Sequence, residues 1–332
     1  MATHSLPVVS QGEPMPSQAP ILGVYLSESL DLDSVYGEAL RQLGDDVVLR
    51  HPHEIEDPSE VRFAICWQPG EDAFAPYPNL RLAMSIAAGV DALMSHPGLS
   101  AEVQVARVRD PHQAYLMAGF AAHEVLHRER EFAVMADNAT RGEWQPLAMR
   151  APEKAQVAVL GHGSMGRAVV SSLSTLGFSV TVACRSEPAA PVPGVRYLTG
   201  DAAVMAAADG ADYLINILPL TPVTENVLNA ALFARLRRGA WLVQIGRGEH
   251  LVEADLEAAL DAGQLAGATL DVFREEPLAP THRWWQDARL RITPHVASDS
   301  LPEVVAEQVV ATARELRDGL PLMLGVDRQR GY

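Results

Sequence analysis

The sequence predicts an α/β protein made of two doubly wound parallel sheets, and three observations carry that expectation. Short apolar runs alternate with helix-patterned stretches along most of the chain. The alternation comes as two series separated by one long helical segment. The length, 332 residues, is well above the roughly 100–200 of a single domain.

The elements follow in order. Residues 1–18, within MATHSLPVVSQGEPMPSQAP, contain neither a basic stretch followed by an apolar one nor enough apolar surface to offset ordering, so a loose tail is expected. The runs Ile21–Leu26, Asp46–Arg50, Arg62–Trp67, Leu80–Ala87 and Val103–Arg107 are short, apolar and bounded by Gly, Pro or charged turns, as buried strands are. From Gln113 to Ala139 apolar residues recur at helical spacing with Gly119 as the one interruption, and Pro146 and Pro152 follow, which predicts one long helix joining two domains. A second strand series reads Gln156–Gly161, Phe178–Cys184, Ala211–Leu218, Ala240–Gly246, Gly267–Phe273 and Leu290–His295. The helix-like stretches Arg167–Gly177 and Glu253–Gly263 each close on the glycine expected just past a helix end. A last helix, Leu301–Leu316, is expected to return to the first domain. One domain would thus comprise residues 19–113 plus 297–332, and the other residues 114–296 with the long helix at its start.

With 42 acids against 26 bases, the formal charge is -16. Such a surface repels nucleic acid and anionic membrane, so an anionic ligand must be caught by a few local donors. No stretch approaches the ~18 consecutive apolar residues of a membrane span. Cys66 and Cys184 form neither a disulfide framework nor a CxxC metal motif, which fits a reducing cytoplasm.

The sharpest motif is Gly161-His162-Gly163-Ser164-Met165-Gly166, directly after an apolar strand and opening a helix. Gly161 permits the turn, Gly163 lets amides approach a pyrophosphate, and Gly166 allows close helix–strand packing. The expected ligand is a dinucleotide on a Rossmann-type domain. The position that reads the adenosine ribose should follow the next strand, where Cys184, Arg185 and Ser186 stand. An Arg there accommodates a 2′-phosphate whereas a carboxylate selects NAD, so NADP is expected, with NADPH preferred over NADH. The alternative is that Arg185 is a solvated loop cation and Glu187 takes the acid's role.

Ligands of open α/β sheets sit outside the C-terminal strand ends, and three of those ends carry chemistry. Arg247, between Gly246 and Gly248, offers a planar fork suited to a carboxylate. Glu276 lies just past Gly267–Phe273, and His295 ends Leu290–His295. A carboxylate beside an imidazole favours the protonated ring, which can then act as an acid near neutrality. Each residue taken singly reads as structural; their shared location points to catalysis.

In order and spacing, the GHGSMG turn, Leu218–Thr221, the GRG around Arg247, Leu270–Leu278 and Thr293–His295 resemble the D-isomer-specific 2-hydroxyacid dehydrogenases. Ala87–Asp91, Cys66–Pro69, the CRS at Cys184–Ser186 and the terminal VDRQRGY are most similar to the glyoxylate/hydroxypyruvate reductases among them. The resemblance implies a Rossmann-type NAD(P)-binding domain inserted in a flavodoxin-like substrate domain, with the active site in the cleft between them and a homodimer formed through the cofactor domain. It implies reduction of a small 2-oxo acid to the D-2-hydroxy acid, with Arg247 holding the substrate carboxylate, His295 as acid/base and Glu276 orienting it. Asp271 would contact the nicotinamide carboxamide, and Gly161, Gly163, Ser164, Met165, Gly166, Arg185, Ser186, Leu218, Pro219 and Ile245 would complete the cofactor site. Amides at Ala88 and Gly89 would bind the carboxylate from the other domain. Trp67 would be a pocket wall, unless it is an ordinary strand aromatic. The family usually has Ala where this chain has Gly246, and a small gain in local freedom is the expected result.

Two competing readings remain. His123-Glu124-Val125-Leu126-His127 matches the HExxH of helical zinc peptidases, but no third ligand follows at the extended spacing, and Arg128 and Arg130 add positive charge. The bland reading is a partly exposed helix face with Glu124 satisfied locally, and no metal is expected. A binding protein that senses nicotinamide nucleotides without turnover would use the same fold; the joint presence of Arg247, Glu276 and His295 argues against it.

Overall fold

The computed structural model describes residues 19–328, so the tail of residues 1–18 and the last four residues of VDRQRGY lie outside the described residues. The first sheet contains β1 (Ile21–Ser27), β2 (Val47–Arg50), β3 (Phe63–Trp67), β4 (Leu82–Ser85) and β5 (Gln104–Arg107), with α1 (Leu32–Arg41) after β1 and the short α2 (Asp91–Met94) after β4. Its strands are all parallel, in the order β2-β1-β3-β4-β5, as in flavodoxin-like domains.

Then come α3 (Pro111–Glu129) and α4 (Phe132–Thr140). The single helix expected over 113–139 is therefore two. Glu131 adopts a left-handed conformation at φ 51° and breaks it. The end of α3 is pinned there: Glu129 accepts bonds from Arg150 Nε at 2.8 Å and from the Tyr213 hydroxyl at 2.7 Å.

The second unit comprises β6 (Gln156–Leu160), α5 (Ser164–Thr175), β7 (Ser179–Ala183), β8 (Arg196–Leu198), α6 (Ala203–Ala208), β9 (Tyr213–Asn216), α7 (Ala230–Phe233), β10 (Ala240–Gln244), α8 (Glu253–Asp261), β11 (Leu265–Leu270) and β12 (Leu290–Ile292). These strands form a parallel sheet in the order β12-β11-β10-β9-β6-β7-β8. Alternation along β6 shows how the sequence fills both faces. Val157 and Val159 join the core beneath α3 and α5, while Ala158 and Leu160 join the opposite core with Leu232, Leu256 and Leu260. Burying each such Val or Leu fully contributes about 1.5–3 kcal/mol. Gly177 and Gly263, at φ 87° and 66°, end α5 and α8 as expected.

The predicted strands overran their ends. Those expected to reach Ala87, Cys184, Leu218, Gly246, Phe273 and His295 leave their ladders at Ser85, Ala183, Asn216, Gln244, Leu270 and Ile292. Apart from Asp271 and His295 the overrun residues are apolar or small and read as strand, but their backbones turn away to build loops at the C-terminal sheet edges. The three-residue edge strand β8 was not anticipated.

Finally α9 (Pro302–Arg317) packs on α1, and its Arg314 and Arg317 clasp Asp46 beside β2. The chain crosses between the two sheets twice, before α3 and before α9, and the crossings are stitched together. Buried Asp110 caps α3 at the His112 amide (2.8 Å) and accepts from Leu301 N at 3.0 Å. Gln113 Nε2 donates to Ser300 Oγ at 2.6 Å, and Ser298 Oγ donates to the Gln113 carbonyl at 2.9 Å. Gln308 exchanges two bonds with the backbone of Arg109, at 2.8 and 2.9 Å.

Candidate active site

In the second sheet the strand order reverses between β6 and β9, and the glycine turn stands there. Gly161 has φ 107°, and a Cβ on it would lie 2.8 Å from the Ile217 carbonyl oxygen. A Cβ on Gly166 would lie 2.4 Å from the Gly161 oxygen, so α5 approaches β6 only because glycine is there. At Gly163 no atom lies within 4 Å of the Cβ position. Beyond it α5 begins at Ser164 and Met165, with no side-chain cap and no acid in its first turn. Open backbone and uncapped amides at a helix N-terminus fit a pyrophosphate.

Past β7, the Cys184 amide donates to the Leu198 carbonyl at 3.0 Å, and burial together with Glu187 pushes its thiol pKa up. Arg185, Ser186 and Glu187 follow on the exposed surface. After β9, Leu218 N donates to Asn216 Oδ1 at 3.4 Å, and the Pro219 carbonyl accepts the Thr224 hydroxyl at 2.7 Å. Ile245 is buried in the core with Val243 and Ala297.

Glu276 and His295 are brought together as expected: Nδ1 of the imidazole lies 2.8 Å from Oε2 of the carboxylate, while Oε1 accepts from Phe273 N at 2.9 Å. Burial pushes the Glu276 carboxyl up, but the His295 bond, the Phe273 amide and the charges of His295 and Arg247 outweigh it and hold the group below its ordinary value. The carboxylate thus stays charged against the ring, fixing Nδ1 as the donor and leaving Nε2 outside that bond. His295 is left-handed, at φ 55°, a conformation that persists only where surroundings over-determine it. Asp271 does so. Its carboxylate, 1% exposed, accepts from Thr293 Oγ1 at 2.6 Å and from the amides of Val296 and Ala297 at 2.9 Å each.

Arg247 is held from three sides. Its Nε lies 3.1 and 3.2 Å from the two oxygens of Asp91, its Nη1 donates to the Gly246 carbonyl at 2.8 Å, and a Cβ on Gly89 would lie 1.8 Å from Nη2. The guanidinium therefore reaches the first sheet's Ala88–Gly89 loop, and a carboxylate entering there meets the Nη edge. That loop is itself shaped. Arg107 Nη1 donates to the Ala88 carbonyl at 3.1 Å, which aims the opposed Gly89 N–H, and Ser85 Oγ donates to the Gly89 carbonyl at 2.8 Å. Trp67 ends β3 beside β1, where the first sheet's order reverses, and packs half-buried on the core with α1 and α9.

Two expectations need correction. Gly246 is not merely a freer alanine: a Cβ there would come within 2.8 Å of both Asn216 Nδ2 and His250 Nδ1. Glu124, 2% exposed, is held across the fold as well as locally: Thr269 Oγ1 donates to its Oε2 at 2.7 Å, while its Oε1 makes no hydrogen bond and lies 3.0 Å from Arg291 Nε and 3.6 Å from His123 Nε2. The cation at the HExxH segment is thus Arg291, while Arg128 lies over the Trp241 ring and Arg130 over Phe132. Among the described residues no group of three or more His, Cys, Asp or Glu is placed to hold a metal ion.

Sequence reasoning passed over Asp91, Ser85, Arg107, Thr293 and the buried trio Asn216, Gln244 and His250. For Asn216 and Gln244 a signal existed, since each puts an amide inside an otherwise apolar strand. Asp91, Arg107 and Thr293 had none, because their partners lie 156, 19 and 22 positions away, and Ser85 and His250, though each has a partner within four residues, carry no local pattern that marks them.

Comparison with known proteins gives the family of the fold. Residues 123–297 match the family model "D-isomer specific 2-hydroxyacid dehydrogenase, NAD binding domain". The chain is 38% identical over 281 residues to glyoxylate/hydroxypyruvate reductase A of Yersinia enterocolitica, covering 83% of this chain and 89% of the relative. Among solved structures, a D-isomer specific 2-hydroxyacid dehydrogenase from Xanthobacter autotrophicus in complex with NADPH superposes with a TM-score of 0.85 at 34% identity, over 95% of this chain and 100% of that one. An NADPH-dependent glyoxylate/hydroxypyruvate reductase from Sinorhizobium meliloti, in complex with NADP and sulfate, gives 0.84 at 31% identity, with 95% and 100% covered.

Proposed function

The chain belongs to the D-isomer-specific 2-hydroxyacid dehydrogenase family, and on that premise we propose that it reduces glyoxylate, hydroxypyruvate or a similar small 2-oxo acid to the D-2-hydroxy acid. It is an NAD(P)-dependent oxidoreductase, and NADP is its cofactor. The observation that carries the substrate class is the Glu276–His295 pair within electrostatic reach of Arg247.

When bound, the reduced nicotinamide supplies the hydride; the residues of the chain bind, orient and protonate. Arg247 holds the substrate carboxylate through its Nη edge, with the Gly89 amide opposite. His295 gives the proton on Nε2 to the oxygen that becomes the hydroxyl, and Glu276 fixes the tautomer and balances the charge on the ring. Asp271 keeps His295 in place by holding the 293–297 loop. Arg185 and Ser186 offer a guanidinium and a hydroxyl to the 2′-phosphate, and Cys184 leaves out the acid that would repel it.

A homodimer fits as well. Tyr115 and Leu116 on α3, Phe132 and Val134 on α4, and Trp144 and Met149 beyond it are exposed, Trp144 at 97%. Light scattering should give twice the 35.8 kDa chain mass, and Trp144→Glu should lower it.

The decisive experiment is a panel of 2-oxo acids assayed with NADPH and NADH by loss of nicotinamide absorbance. Consumption of NADPH with glyoxylate or hydroxypyruvate is expected; binding without consumption of any acid would leave a nucleotide sensor.

A further inference from the structure

Behind the anchor lies a polar network built on three fully buried side chains, Asn216, Gln244 and His250. The His250 side chain is fully buried on the short turn after Arg247. Its Nδ1 lies 3.0 Å from the Arg247 backbone N and 2.9 Å from Asn216 Nδ2. Both are N–H donors, so Nδ1 is an acceptor and the proton sits on Nε2, which faces the Pro219 carbonyl at 3.3 Å beside the Thr224 hydroxyl. Asn216 spends its other amide hydrogen on Gln244 Oε1 at 2.8 Å and accepts from Leu218 N. Gln244 Nε2 donates to the Arg247 carbonyl at 2.7 Å, and its Oε1 also takes the Gly246 amide at 3.3 Å. Gly246 is what leaves room for this arrangement, since a methyl there would press on both nitrogens.

The network therefore grips both backbone groups of Arg247 and both residues of the Leu218–Pro219 loop. We propose that His250 is a positioning residue that locks the cofactor loop to the carboxylate anchor, its two ring nitrogens serving the two sides separately. The inference rests on the role proposed above for Arg247 and on the cofactor contact that the family resemblance implies for Pro219. Burial agrees with it: desolvation, with the Arg247 charge adding and Asp91 and the Pro219 and Arg247 backbone bonds opposing, pushes the imidazole pKa down to about 4, so the ring stays neutral as the two bonds require. A network in which each polar group is matched specifies one geometry, which is its use in a site that must set hydride and proton transfer together.

Two substitutions separate the two sides. Asn places an acceptor near Nδ1 but reaches no further, whereas Gln places an amide donor near Nε2 and offers nothing at Nδ1. His250→Asn should weaken NADPH binding about tenfold, the scale of one hydrogen bond at a buried site, and leave the substrate side within about threefold. His250→Gln should do the reverse. Dissociation constants are read for NADPH by nucleotide fluorescence and for oxalate, a non-reducible carboxylate, by calorimetry on the NADPH-loaded protein. KM values for NADPH and glyoxylate give the same split in turnover. Equal effects of both variants on both ligands, or none, would overturn the proposal. Should a variant melt before it can be titrated, Gly246→Ala tests the same network from outside the ring, with weakening of both ligands expected and unchanged binding of either refuting. A parent that binds both ligands but turns over no 2-oxo acid would refute the functional reading and leave the binding split intact as a test.

Discussion

Replacing Arg247 by Lys keeps the charge and removes the geometry, which makes it the sharpest probe of the anchor. In the parent the guanidinium does separate things with separate nitrogens: Nε meets Asp91 at 3.1 and 3.2 Å, Nη1 meets the Gly246 carbonyl at 2.8 Å, and Nη2 stands against Gly89. An ammonium has one nitrogen. Drawn to the Asp91 carboxylate, it leaves the substrate carboxylate without its charged partner; drawn to the substrate, it leaves Asp91 unpaired at the mouth of the site. A hydrogen bond to a charged group contributes about 1.5–3 kcal/mol, so kcat/KM for glyoxylate should fall by roughly tenfold to 150-fold. The assay is steady-state NADPH oxidation across a series of 2-oxo acids, with the NADPH dissociation constant as the control that should stay within about twofold. Asp91→Asn, which keeps the acceptor oxygens but not the charge, should lose less. A Lys variant equal to the parent on every acid would show that Arg247 is structural, and the placement of the substrate carboxylate would be wrong.

Four further outcomes are expected. His295→Ala should lower kcat by roughly 10²–10⁴-fold with NADPH binding intact, and near-normal turnover would remove it from the chemistry. The parent should favour NADPH over NADH in kcat/KM by at least about tenfold, less so at high salt, and Arg185→Ala should erase most of the ratio; an unchanged ratio would turn attention to Glu187. His250, its pKa pushed down from 6.5 to about 4, should contribute stability that is complete above pH 6.5 and lost as pH falls through about 4. Urea melts should show this loss, up to roughly 3 kcal/mol, as a difference between the parent and His250→Asn, and parallel pH curves would refute it. Gly246→Ala should cost about 1–3 kcal/mol of stability by overpacking, seen as a lower melting temperature, whereas an unchanged Tm would mean that the network yields freely.

How much of this was legible in the sequence depended on how far apart the interacting residues lie. The glycine turn is a local device: Gly161, Gly163 and Gly166 and the strand and helix around them sit within a dozen residues, so pattern alone located it. Strand ends were legible as places but not as boundaries, because Leu218, Gly246 and Phe273 keep a strand-like composition while serving as loops. The break at Glu131 carries no Gly or Pro; it follows from Arg150 and Tyr213 gripping Glu129 from later in the chain. Asp91 and Arg247 are 156 positions apart, and Glu124 and Thr269 are 145 apart, so neither contact has a counterpart in local spacing. Asp271, which the resemblance assigns to the nicotinamide, has oxygens that organise the 293–297 loop, a role that becomes visible only once β11 and β12 are adjacent.

The stitched crossings before α3 and α9 bear on how the two sheets could shift against each other. Two separate single-chain tethers would let the halves twist, slide and tilt in any combination. Side chains of Asp110, Gln113, Ser298, Ser300 and Gln308 bind these two into a narrow ribbon, and a ribbon flexes about one line while resisting torsion and shear. Any opening between the two sheets would then be nearly that of a door on its pins. A closure of that kind would return the Arg247 guanidinium to the same patch of the Ala88–Gly89 loop, its accuracy set far from the chemistry, at the jamb.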